Sequence, residues 1–171
     1  MTSHSIFESG MKFGPYPVDH YFHIEKSATY QNIQSHVKMA ELLVLHPSDT
    51  SKVDIIEAKS SSPRPETQPN FQEFIIEIRD KLTNALNLYM ATYLKRHPTS
   101  SELPIPFQKL KLDNTQFRLI VIINGHREEW ISPLQDALRK FLKPTVKTWS
   151  LSPNNVLVLN DSLAKKYGLI S

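Results

Sequence analysis

The sequence predicts a mixed α/β fold, and three features support that expectation. Two apolar runs, residues 37–45 and 53–59, flank the turn-rich stretch HPSDTSK at 46–52. Apolar residues then recur at three- and four-residue steps from Phe71 to Tyr93. A third apolar run, FRLIVIIN at 117–124, is followed by a helical pattern and further short apolar runs. Apolar runs bounded by turn residues are the signature of buried strands, whereas three- and four-residue steps mark one face of an amphipathic helix. The order lacks the regular strand–helix alternation of a doubly wound sheet.

Composition sets the bounds. With 171 residues, the chain is expected to form a single domain, 1–171, with enough length to bury a real core. Hydrophobic residues make up 40% and charged residues 22%, ordinary values for a soluble globular protein. No apolar run approaches the roughly 18 residues of a membrane span. The first ten residues lack the basic and then apolar pattern of a secretory signal. Cysteine is absent, which excludes disulfides and thiolate zinc sites and makes a cytoplasmic location the default expectation. A net charge of +3 permits an anionic partner without demanding one.

Along the chain, the first 17 residues show little pattern, and Gly14-Pro15-Tyr16-Pro17 reads as a loop. YFHIEKSATYQNI, 21–33, fits either a strand or a short helix and is read as a strand. VKMAELLVL (37–45) and VDIIEAKSS (53–61) read as the two arms of an antiparallel hairpin closed by the polar turn. Ser60 to Pro69 is a proline-rich connection. The stripe Phe71, Phe74, Ile75, Ile78, Leu82, Ala85, Leu86, Tyr89, Tyr93 predicts a long helix starting at Pro69-Asn70 and stopping at His97-Pro98. Residues 98–116 read as a loop and 117–124 as a buried strand. SPLQDALRKFL (132–142) predicts a helix capped by Ser132 and ended by Lys143-Pro144. VKTWSL and NNVLVLN read as two further strands, and DSLAKKYGL as a terminal helix stopped by Gly168. The core is expected over about 20–125, with a C-terminal α/β extension at 126–171.

The chemistry concentrates on the hairpin. Strand side chains alternate faces, so Glu57 and Lys59 point the same way as Ile55, and Ile56 and Ala58 point the other way. Glu41 sits within an apolar run, where an unpaired carboxylate is costly. Antiparallel pairing can bring Glu41 beside Glu57. Two carboxylates at that position can hold a hard cation such as magnesium, and the Lys59 ammonium can steady an attacking water or the charge growing on a phosphate. Glu57 and Lys59 could equally form a plain charge cluster at a strand end, and Glu41 could face solvent. The seven histidines, His20 and His23 included, are read as surface or core residues, and Trp130 and Trp149 as core or interface residues.

Glu41, the hairpin, Glu57-Ala58-Lys59 on an apolar strand and the long helix after it resemble the PD-(D/E)XK nuclease superfamily, the restriction-endonuclease-like fold. The resemblance covers roughly residues 20–125. It implies a central mixed β-sheet flanked by helices. It also implies that Glu41 stands for the first metal-binding acid, Glu57 for the second and Lys59 for the catalytic lysine. Glu25 is the candidate for an acid contributed from before the hairpin, and Gln72 or Glu73 for a polar residue on the following helix. The chain departs from the pattern in having Glu as its first acid and in lacking a Pro-Asp pair. By this resemblance the expected activity is Mg2+- or Mn2+-dependent phosphodiester hydrolysis, as an endonuclease or exonuclease, on DNA rather than RNA. The rival expectation is a non-catalytic module of the same fold that binds a protein or nucleic acid. Leu88, Met90 and Leu94 lie off the main stripe of the long helix, which raises the expectation of a homodimer or a protein partner at that end.

Overall fold

The apolar runs pair into one five-stranded sheet. A computed structural model describes residues 2–46 and 48–171. Strands β1 (Ser3–Glu8) and β2 (Met11–Pro17) form a separate hairpin, followed by β3 (Tyr21–Phe22), a 3-10 turn at Ile24–Lys26 and the short α1 (Ala28–Gln31). Next come β4 (Leu42–His46), β5 (Asp49–Lys59), the long α2 (Asn70–Tyr93), α3 (Ile105–Gln108), β6 (Gln116–Ile123), α4 (Ile131–Thr148), β7 (Val156–Asn160) and α5 (Asp161–Lys166). The sheet order is β3-β4-β5-β6-β7. The first two pairings are antiparallel and the last two parallel, so the sheet is mixed. Parallel neighbours need a crossover, and the α2 segment joins β5 to β6 as α4 joins β6 to β7.

Residue alternation divides the core. Leu43, Leu45, Val53, Ile55, Leu119, Val121 and Val158 meet the buried stripes of α2 and α4. Leu42, Val44, Ile56, Ala58, Ile120, Ile122 and Leu159 face the other way, onto Ile6, Met11, Phe13 and Tyr16 of the N-terminal hairpin and Ala164, Leu169 and Ile170 of the C-terminal end. The hairpin β4–β5, the helix α2 and the strands β6 and β7 therefore follow the sequence pattern. So does α5, followed by Gly168 with φ of 71°.

Five readings change. Within the first 17 residues, Ser3–Glu8 and Met11–Pro17 form a β-hairpin, and Gly14 to Pro17 lie within β2. Its apolar positions are few, and its burial depends on a sheet contributed from far along the chain. Only Tyr21 and Phe22 of 21–33 are extended. Helical turns follow, because the Ser27 side chain accepts a hydrogen bond from the Tyr30 amide and caps α1. Strand β4 begins at Leu42, so Glu41 precedes it rather than lying mid-strand. The 98–116 loop contains α3. Finally, α4 starts at Ile131 without a side-chain cap from Ser132, runs through Pro144 and absorbs Val146 to Thr148, the first half of VKTWSL. Leu134, Leu138, Leu142 and Val146 are buried at four-residue steps, so packing on α2 and β7 overrides the helix-breaking tendency of one proline. Pro47, in the predicted turn at 46–52, lies outside the described residues.

Leu88 and Met90 are buried in the core of their own chain, and Leu94 is 67% exposed. The internal core covers two of the three off-stripe residues without a second subunit. Trp130 and Trp149 are partly exposed rather than core residues. Leu88→Ala should lower unfolding stability in urea by about 2–5 kcal/mol, the usual range for a core leucine. Leu94→Glu should change it by less than about 0.5 kcal/mol. Equal losses from the two would place Leu94 in a buried contact.

Candidate functional site

The hairpin register sets the site. Leu42 pairs with Ile56 and the Glu41 amide donates to the Ile56 carbonyl at 3.0 Å, so the ladder continues into Glu41. Odd-numbered residues of β4 and β5 face α2. Glu41, Glu57 and Lys59 share that parity. Glu57 is fully buried and Glu41 is 8% exposed. The structure thus brings together Glu41, Glu57 and Lys59, and it adds Glu25 from the 3-10 turn beside Glu41.

The following helix contributes other residues than those expected. Gln72 and Glu73 are exposed. One and two turns further on, Glu77 and Lys81 face the strand. Lys81 Nζ donates to Glu57 Oε1 at 2.8 Å, and Lys59 Nζ lies 3.4 Å from the same oxygen. Lys59 Nζ also donates to Glu77 Oε1 at 2.8 Å and sits 6.0 Å from the centre of the Phe74 ring. Two residues come from further off. His23 Nε2 lies 3.8 Å from Glu41 Oε2 and 3.4 Å from Glu8 Oε1, and Lys26 Nζ donates to Glu8 Oε1 at 2.8 Å.

Sequence reasoning missed Glu8, His23, Glu77 and Lys81. A Glu and a Lys four apart on a helix usually signal an exposed pair, and only the strand beside them reveals their role. The spacing His20-x-x-His23 was visible, but its partners were not. Glu8 carried no signal, because its position depends on the hairpin folding back. The tip residue Gly10 has φ of 76°, and a Cβ there would lie 2.7 Å from Asn124 Nδ2. Ser9 Oγ donates to the Ala58 carbonyl at 3.1 Å and Asn124 Nδ2 to the Ser9 carbonyl at 3.2 Å, which pins the tip beside the end of β5.

The charges are strongly coupled. Burial raises the Glu57 carboxyl above its ordinary range, and Lys81 and Lys59 only partly offset this. Burial disfavours the Lys81 ammonium, yet the Glu57 carboxylate more than compensates and raises its pKa. Burial and then the adjacent Glu41 carboxylate push Glu25 up to about 7. Glu41 is held low: burial works against its charge, but the neighbouring His23, Glu25 and Lys81 outweigh it. One acid held low and its neighbour pushed up is the pattern that two adjacent acids adopt when both cannot ionise cheaply.

Glu41 Oε2, Glu57 Oε2 and His23 Nε2 are buried and have no hydrogen-bond partner. Buried polar atoms are nearly always paired, so unpartnered atoms on Glu41 and His23, 3.8 Å apart, and on Glu57 across the hairpin mark a place suited to a ligand rather than a finished structural network. Glu41, Glu57 and Glu25 offer the oxygen donors that a hard cation takes. The chain matches no protein-family model, no curated protein and no solved structure.

The Glu57–Lys81 pair should respond as a buried ion pair does. Removing one partner leaves an uncompensated charge, which typically costs about 3–5 kcal/mol. Lys81→Met should lose about 3 kcal/mol in urea unfolding, the low end because Lys59 remains close by. The double variant Glu57→Gln, Lys81→Met should recover most of that. The charged pair exists above the raised Glu57 value, and the contribution of the Lys81 ammonium is lost as pH rises through the raised Lys81 value. A Lys81→Met loss below about 1 kcal/mol would mean a solvated, exposed pair.

Proposed function

We propose that this protein is a metal-dependent nuclease of the PD-(D/E)XK type that hydrolyses phosphodiester bonds, with DNA as the favoured substrate. One observation carries the reading: Glu41 and Glu57, on paired segments of the hairpin, each keep a buried carboxylate oxygen without a hydrogen-bond partner, with the Lys59 ammonium 3.4 Å from Glu57 at the same strand end. The order of elements supports it. An antiparallel hairpin bearing the acids leads to a long helix, within a mixed sheet flanked by helices, which is what the resemblance implies for this fold. The preference for DNA rests on that resemblance.

In this reading Glu41 and Glu57, with Glu25, hold Mg2+ or Mn2+. The bound ion supplies a Lewis acid that polarises the phosphate and makes water a better nucleophile. The chain's own residues do the rest. Lys81 favours the ionised form of Glu57 in the interior. Lys59 lies at the strand end with its side chain 22% exposed, where an ammonium can reach a phosphate oxygen or orient a water. Glu77 accepts from Lys59 and restrains it. Glu25 gives up its proton when a cation occupies the cluster. A second copy or a protein partner would contribute to substrate selection.

The competing reading is a non-catalytic module that binds a protein or nucleic acid. It is favoured by Lys81 and Lys59 both closing on Glu57 Oε1. Linear, nicked and single-stranded DNA, and RNA, incubated with Mg2+ or Mn2+ separate the two. Cleavage should require the metal. Glu57→Gln and Lys59→Ala should each lower the rate by about 10²-fold or more while circular dichroism shows a folded protein. An inert parent protein, or a Lys59→Ala variant as active as the parent, would leave the module.

A further inference from the structure

Beside the Glu41–Glu57 pair lies a second group of donors with different chemistry. One ligand atom each from Glu8, His23 and Glu41 lie within 4.8 Å of one another. They come from three parts of the chain: the end of β1, the residue before the 3-10 turn and the residue before β4. Donor atoms bound to one dication at about 2.0–2.2 Å sit roughly 3–4 Å apart. The 3.4 Å from His23 Nε2 to Glu8 Oε1 and the 3.8 Å to Glu41 Oε2 lie in that range. Glu41 Oε2 has no hydrogen-bond partner, in a residue only 8% exposed, and the His23 ring nitrogen lies 3.8 Å from it. His23 Nε2 is likewise without a partner.

We infer that Glu8, His23 and Glu41 form a distinct site for a first-row transition-metal dication of the Mn2+ or Zn2+ class. An imidazole nitrogen is a poor ligand for Mg2+ and Ca2+, which take oxygen, and a good one for the transition ions. Two carboxylates and one imidazole leave positions open for water. Lys26 is the competitor, since its ammonium bonds the same Glu8 oxygen. Its side chain is 64% exposed, so it can swing into solvent when an ion takes that oxygen. The N-terminal hairpin thereby becomes part of the site: its tip is pinned to Ala58 and Asn124, and that anchoring holds Glu8 in reach. The inference goes beyond the nuclease reading and shares only Glu41 with it.

Mn2+ is the probe, because its paramagnetism reports both binding and the nitrogen ligand. Titration of the full chain followed by electron paramagnetic resonance should show bound Mn2+ with a nitrogen coupling from imidazole in pulsed spectra. The coupling should vanish in His23→Gln, and Mn2+ affinity should fall by at least about tenfold in His23→Gln and in Glu8→Gln. Lys26→Met should bind Mn2+ more tightly than the parent. Glu57→Gln should keep both the ion and the nitrogen coupling, which separates this site from the catalytic one. Thermal melts of each variant without metal establish that it is folded. Bound Mn2+ without nitrogen coupling, lost in Glu57→Gln, would overturn the inference and leave the nuclease reading standing. A His23→Gln variant that binds Mn2+ as the parent does would also overturn it. No Mn2+ binding at all would overturn both.

Discussion

A carboxylate with no solvent exposure has to be compensated where it stands, and Glu57 occupies such a position in the central strand of the sheet. Taking that charge out of water costs several kcal/mol, of order, even after the protein relaxes around it. Two lysines answer it from two elements: Lys81 from α2 and Lys59 from the same strand. The requirement reaches outward. Lys81 must face the sheet, which fixes the rotation of α2 about its axis. Ile78 and Leu82, on either side of it in sequence, are then buried. Lys59 needs an acid to restrain it, and Glu77, one turn before Lys81, is that acid.

The opposite face shows what a purely structural buried charge looks like in the same sheet. Asp54 is also without exposure, and Arg118 of the neighbouring parallel strand bonds both of its oxygens, at 2.5 and 2.6 Å. That is the two-pronged geometry in which a guanidinium satisfies a carboxylate fully. Glu57 is different. Lysines can only occupy one of its oxygens from one side, and the other oxygen has no partner. Three residues apart on one strand, the two acids are treated in opposite ways. One is closed off by an arginine, and the other is left with coordinating capacity beside further carboxylates.

That remaining capacity lies where several otherwise separate pieces meet. Strands β4 and β5 bring Glu41 and Glu57, the 3-10 turn brings Glu25, and the N-terminal hairpin brings Glu8. The hairpin is a two-stranded sheet of its own, which in isolation would be marginal. Its stability comes from Phe13 and Tyr16 packed on the sheet and from the Gly14 amide and Tyr16 hydroxyl donating to the Leu169 carbonyl. The C-terminal end of the chain therefore helps to hold an N-terminal acid in position. Among the described residues no helix is long and apolar enough to cross a membrane.

The mixed α/β class, the β4–β5 hairpin, the span of α2 and the strands β6 and β7 were legible in the sequence, because period 2 against period 3.6 and turn composition are local properties. Glu41, Glu57 and Lys59 were legible for a related reason. Strand parity places them on one face, and a short antiparallel turn makes their register nearly a local matter. The proline within α4 and the helical turns after Phe22 were misread, because packing at Val146 and the Ser27 cap outweighed composition. What only the tertiary structure decided is the company these residues keep. Lys81 looks like a surface lysine until β5 lies beneath α2. His23 and Glu8 acquire their neighbours through contacts between segments that no periodicity links. Apolar patterning specifies which faces are buried, but the pairing of a buried charge depends on which side chain the fold brings within about 3–4 Å, and that is settled only when distant elements dock.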